Sequence, residues 1–155
     1  MKRVLVTGGS RGIGLAIART FQLSGHDVLI RSRNDPLTGE SGLRWIKSDC
    51  LVEGDRHFTQ DEIGHVDILL NNVGGGGRYG TESEVWGKNV GSMVDFTQWA
   101  LNGMLQREWG RVVTISSIFG REIGAPRPIF SAAKAAQIAY MKGLSRDPQY
   151  ARRNI

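Results

Sequence analysis

A single cysteine, Cys50, in 155 residues excludes an internal disulfide. No stretch approaches the roughly 18 consecutive apolar residues of a membrane helix. The opening MKRVLVTGGS carries basic residues but too short an apolar run for a secretory signal. A reducing cytoplasm is therefore the expected setting, with no membrane partner. Blocks of like charge are missing as well. The net charge of +5 is spread along the chain, so nucleic acid is not expected, and the modest basic excess suits either a phosphate-bearing ligand or a solvated surface. No internal repeat is found, no low-complexity segment other than Gly74 to Gly77, and no metal site is expected.

Against these absences stands an alternation of two periodicities. A hydrophobic content of 40% is enough for one core, and residues 1–155 read as a single domain. Nearly continuous apolar runs, as required by strands buried on both faces, occur at 3–7, 27–31, 43–47, 66–71 and 111–116. Helical spacing falls at 13–24, ending at Gly25, at 82–108, and at 129–146 before Pro148. Turn formers dominate SRNDPLTGESG, so no full helix is expected between the second and third strands. The pattern predicts an α/β fold, a doubly wound parallel sheet with helices on both faces.

The first chemical signal is TGGSRGIG at 7–14, directly after a strand and directly before a helix. There Gly8 permits a tight turn, Gly12 lets the backbone approach a pyrophosphate, and Gly14 lets the helix pack close to the strand. The helix N-terminus meanwhile offers unpaired N–H groups to negative charge. A plain strand-to-helix turn with incidental glycines is the bland alternative, and the strand–loop–helix context weighs against it.

The spacing of these glycines, TGxxxGxG rather than GxGxxG, resembles the short-chain dehydrogenase/reductase family, and in particular its 3-oxoacyl-carrier-protein-reductase-like members. The resemblance extends along the chain. Asp49 in KSDC matches the acid that contacts adenine, NNVG at 71–74 resembles NNAG, and Asn89, Ser117 and Lys134 match three members of the catalytic tetrad. It implies a Rossmann-type sheet with strand order 3-2-1-4-5. It also implies a cofactor contact surface made by Thr7, Gly8, Ser10, Arg11, Gly12, Ile13 and Gly14, by Ser32 and Arg33 after the second strand, by Asp49 and Cys50, by Asn72, Val73 and Gly74, and by Lys134.

One tetrad position departs from the family. Phe130 lies thirteen residues after Ser117 and four before Lys134, where the catalytic tyrosine belongs. In the mechanism that the resemblance implies, that phenol exchanges a proton with the substrate oxygen while nicotinamide exchanges a hydride. Lysine lowers the phenol's pKa and holds the nicotinamide ribose, serine binds the substrate oxygen, and asparagine anchors a relay water. Taken singly, Asn89, Ser117 and Lys134 have bland readings as a local amide, a turn cap and a surface charge; their joint spacing carries the functional one. Three outcomes stay open: an oxidoreductase whose proton comes from water, Ser117, Lys134 or Tyr79; a non-catalytic NADP(H)-binding sensor or scaffold; or a tyrosine replaced by design. A carbonyl or alcohol is the expected small-molecule substrate, its identity unreadable.

Cofactor choice follows from charge. A carboxylate after the second strand would bind a free ribose 2′-hydroxyl, whereas arginine suits a 2′-phosphate. Ser32 and Arg33 stand there, with Arg11 in the glycine loop on the same side, so NADP(H) is expected over NAD(H). The run GGGGRYG at 74–80, with Arg78 and also Arg121 or Arg127, is a candidate receiver for an acidic substrate group, a solvated connector being equally expected. The family pattern implies two further strands and a substrate-covering segment beyond Ile155, which these 155 residues do not contain. Strand 111–116 would then be a sheet edge, which invites pairing, and a homodimer or homotetramer through the helices at 82–108 and 129–146 is expected.

Overall fold

The computed structural model describes residues 1–36, 43–75, 80–122 and 127–155. Five strands, β1 (Arg3–Thr7), β2 (Asp27–Ser32), β3 (Arg44–Lys47), β4 (Ile68–Asn71) and β5 (Arg111–Thr114), form one sheet in the order β3-β2-β1-β4-β5. Every neighbouring pair is parallel. The helices are α1 (Gly12–Leu23), α2 (Glu53–Ile63), α3 (Glu82–Trp86), α4 (Ser92–Arg107), α5 (Pro128–Arg146) and α6 (Pro148–Ala151). This is the expected doubly wound sheet and the expected strand order.

Alternation within the strands explains why both faces are covered. Leu5, Leu29 and Leu69 point to one side and pack with Phe96, Ala100, Leu101 and Met104 of α4. Val4, Val6, Val28, Ile30 and Leu70 form the opposite layer around Ala18 of α1. Phe96 is fully buried, and truncating such a ring typically costs about 3–5 kcal/mol. The layers thin toward β5, an edge strand on which Val113 is 44% exposed.

The strands expected at 66–71 and 111–116 are shorter in the structure, starting at Ile68 and stopping at Thr114, while β2 runs one residue longer, to Ser32. Between β2 and β3, residues 33–36 carry no helix; the rest of that connection lies outside the described residues. Two helices have no clear signature in the sequence. Of the residues in α2 only Thr59 and Ile63 are buried, too few to write a legible apolar stripe. The second, α6, is a single turn of four residues begun by Pro148 and capped by the Asp147 side chain.

The long helix expected over 82–108 is three pieces: α3, a π turn at Gly87–Gly91, and α4. A capping box of Thr81 and Glu84 starts it. A π turn inserts an extra residue into the helical ladder and rotates the helix beyond it, which no three-and-four pattern reveals.

Candidate active site

The carboxyl ends of parallel strands face one side of the sheet, and a doubly wound fold opens its crevice there. After β1 the backbone turns through Gly8, at φ 69°, and Gly12, at φ 57°, a region that L side chains rarely adopt. Gly14 answers a different constraint. A Cβ there would sit 2.4 Å from the Gly8 carbonyl oxygen and 2.5 Å from the Asn72 side-chain nitrogen, so its close approach is to the loop and the end of β4 rather than to the β1 strand. Helix α1 then begins after Arg11, which is extended and gives no side-chain cap. Its first N–H groups are thus left to a ligand or water.

This loop borders a cleft of about 620 Å³. The cleft gathers Gly8, Ser10, Arg11, Gly12 and Ile13 from the loop, Ser32 and Arg33 from the end of β2, Cys50 beyond β3, and Asn72, Val73 and Gly74 beyond β4. Of the residues expected at the cofactor, Thr7, Gly14, Asp49 and Lys134 do not line it. Thr7 and Gly14 act from beneath: the Thr7 hydroxyl accepts from the Asn72 and Val73 amides at 3.0 and 3.2 Å and donates to the Leu70 carbonyl at 3.2 Å. The Asp49 carboxylate accepts from the Leu51 amide at 3.0 Å, while its own amide donates to Asp55 at 2.7 Å.

At the β2 end of the cleft the Ser32 hydroxyl donates to the Asn34 carbonyl and accepts from the Trp45 indole. Arg33 and Arg11 are both exposed, which leaves their guanidinium groups accessible to a phosphate. Two cations on this wall, Lys88 and Arg31, were not among the residues expected from the sequence. Arg31 is 1% exposed. It donates from Nη2 to the Ser48 hydroxyl at 2.8 Å and lies 4.7 Å over the Phe96 ring, while Nε and Nη1 have no hydrogen-bond partner among the described residues. Burial lowers its pKa, an effect opposed by Cys50 and Asp49. Nothing in DVLIRS distinguishes this arginine from an exposed strand-end charge.

Asn89 and Lys134 meet beyond Gly74, while Ser117 caps a neighbouring turn. Asn89 is fully buried in the π turn; its side-chain oxygen accepts from the Gly75 amide at 3.1 Å, and its nitrogen donates to the Val85 and Gly75 carbonyls at 2.8 and 3.2 Å. Lys134, 4% exposed, donates to the Ile115 carbonyl and to Gln137, both at 3.0 Å. Burial pulls its pKa down to about 8. A Cβ on Gly74 would lie 2.6 Å from the Asn89 oxygen and 3.1 Å from the Lys134 ammonium nitrogen, so the bare glycine lets the cleft backbone approach both. Phe130 is on the same face of α5, its ring centroid 5.7 Å from that nitrogen and 6.5 Å, edge-on, from Phe119. The Ser117 hydroxyl accepts from the Phe119 amide at 3.3 Å, capping the short turn at Ile118–Gly120. Arg78 and Tyr79 lie outside the described residues. Arg127 donates to the Gly80 carbonyl at 3.0 Å.

The cost of burying an incompletely bonded guanidinium is measurable in the ligand-free chain. Arg31→Met keeps the bulk and removes the charge, and it is expected to raise unfolding stability by about 1 kcal/mol or more. A loss of more than about 1 kcal/mol in a denaturant titration would show that the contacts with Ser48 and Phe96 outweigh desolvation.

Comparison with known proteins agrees with this geometry. A family model described as short chain dehydrogenase matches residues 55–155. An acetoacetyl-CoA reductase of Rhizobium meliloti (strain 1021) is 34% identical over 95% of this chain and 68% of the relative. One from Paracoccus denitrificans is 31% identical over 94% and 67%. The chain thus spans about two thirds of the length of these curated relatives. Among solved structures, a short-chain dehydrogenase from Streptomyces avermitilis superposes with a TM-score of 0.84 at 28% identity, covering 93% of this chain and 59% of that one. A family match over more than half of the chain, relatives above 30% identity and a shared sheet topology together establish that the chain belongs to the short-chain dehydrogenase/reductase family.

Proposed function

We propose that the chain is an NADP(H)-dependent oxidoreductase that transfers hydride between nicotinamide and a carbonyl or alcohol substrate, slowed by Phe130 in the proton-donor position. The observation that carries this reading is the continuity of the site: an uncapped helix N-terminus and glycine loop, a cleft edged by Arg11 and Arg33, and Lys134 beside Gly74. The residues fit a dinucleotide. Glycine positions that a Cβ would fill and free N–H groups suit a pyrophosphate, while two accessible guanidinium groups suit a 2′-phosphate. When bound, the nicotinamide supplies or accepts the hydride.

The chain's own residues do the rest. Lys134, charged below pH of about 8, holds the nicotinamide ribose. Asn89 fixes the loop at Gly75 over which the substrate side opens. The Ser117 hydroxyl, already accepting one hydrogen bond, keeps its proton to donate to a substrate oxygen. Phe130 places a half-buried ring beside the Lys134 ammonium and has no proton to give. The relatives named as acetoacetyl-CoA reductases make 3-oxoacyl thioesters the first substrates to test. Residues 1–155 act as one dinucleotide-binding domain, in a homodimer or homotetramer in the cytoplasm. A second reading, a non-catalytic NADP(H) sensor or scaffold, rests on Phe130 alone.

Two outcomes are expected. Each charge-assisted contact is worth about 1.5–3 kcal/mol, so NADPH should bind more tightly than NADH, and Arg33→Ala should reduce that preference by about tenfold or more. An unchanged preference in competitive titrations would rule out 2′-phosphate recognition by Arg33. Because a positioned general acid contributes about 10²- to 10⁴-fold, Phe130→Tyr should raise NADPH oxidation with acetoacetyl-CoA by at least about tenfold, with little change in cofactor affinity. A brisk wild-type rate unchanged by Phe130→Tyr would mean that another group supplies the proton.

A further inference from the structure

Gln137 is 1% exposed and three residues beyond Lys134 on α5, so the two side chains share a helical face. Its Nε2 donates to the Asn89 carbonyl oxygen at 2.6 Å, and its Oε1 accepts from the Lys134 ammonium at 3.0 Å. The reverse orientation of the amide would set donor against donor and acceptor against acceptor, so chemistry allows only this one. At such distances no water fits between the amide and either partner. The ammonium's other bond among the described residues is to the Ile115 carbonyl, which leaves one of its three donors for a ligand beside Gly74.

We infer that Gln137 is a positioning residue: its amide braces the Lys134 ammonium against the Asn89 carbonyl, fixing Lys134 as an immobile cation beside the cleft and shutting water out from between the two. The brace ties α5 to the π turn, so the lysine and the asparagine are held in one unit. It also makes Lys134 a fixed contact for ribose hydroxyls rather than a conduit for protons, which accords with a site whose phenol is missing. In this respect the inference rests on the proposed NADP(H) function. The ammonium gains an acceptor that favours its charged form, against a desolvation that disfavours it. Among the described residues, the ionisable side chains on the elements packed against α5 are Glu82 and Glu84 of α3, Lys88 of the π turn and Tyr150 of α6, with Arg121 and Glu122 beyond the Ser117 turn. The direction of the Lys134 shift, downward, follows from burial.

The test is a pH titration of the lysine side-chain nitrogens by NMR in ¹⁵N-lysine-labelled protein, with Lys134→Met identifying the resonance. Gln137→Met keeps the volume and removes the acceptor, so the Lys134 midpoint should fall by roughly one pH unit; Gln137→Glu should raise it by a similar amount. If Gln137→Met does not fold, the upward shift in Gln137→Glu carries the test. Midpoints that stay at the wild-type value in a folded variant overturn the brace. NADPH titration of the same proteins separates the two ideas. Weaker NADPH binding by Gln137→Met together with a lowered midpoint supports both. A wild-type chain that binds no NADPH while the midpoints still move leaves the brace standing and removes the cofactor reading.

Discussion

The site depends on how the end of β1 is tied to the end of β4. The Thr7 hydroxyl accepts from two consecutive amides, those of Asn72 and Val73, while the Asn72 side chain donates back to the Thr7 and Gly8 carbonyls at 3.1 Å. These bonds join residues 65 or so apart in sequence, and they set the glycine loop and the Gly74 backbone at a fixed separation across the cleft. Gly14 must remain bare because Asn72 and the Gly8 carbonyl occupy the space where its side chain would be. Loop geometry, helix N-terminus and cleft wall therefore follow from one cluster of short polar contacts above a sheet whose core is built from apolar side chains.

A second cluster, on the far side of Gly74, is built by different means. The π turn turns Asn89 inward, where it holds Gly75 on one side and receives Gln137 on the other. Lys134 reaches the same point from α5, and its burial is tolerable because two acceptors meet its ammonium. Phe130 adds a ring beside that charge but no donor. Asn89, Lys134 and Gln137 are thus held by their own hydrogen bonds, to which Phe130 adds none.

The sheet and its order were legible because buried parallel strands write themselves as apolar runs, and because the glycine spacing resembles a family with a known topology. Helix α2 was not, since only Thr59 and Ile63 face the core, and the π turn was not, since one extra residue leaves no mark in composition. At the site, Asn89, Ser117 and Lys134 were singled out by their joint spacing, and the structure brings Asn89 and Lys134 against Gly74. Arg31 and Gln137 were missed for a common reason: each is a polar residue whose meaning comes from partners distant in sequence, Ser48 and Phe96 for Arg31 and the Asn89 carbonyl for Gln137. Lys88 was missed because a lysine before Asn89 reads as one more solvated charge. Sequence spacing also points to Gly14 as a helix–strand packing residue, and only the position of Asn72 reveals what it makes room for.

Calorimetric titration of the chain with NADPH, in the absence of any substrate, reads whether the glycine loop and cleft hold a dinucleotide. Saturable binding at one site per chain is expected, abolished when Gly12→Asp places a carboxylate and a strained backbone in the phosphate loop. Absence of saturable heat at any NADPH concentration up to the millimolar range, or binding indifferent to Gly12→Asp, would contradict this expectation.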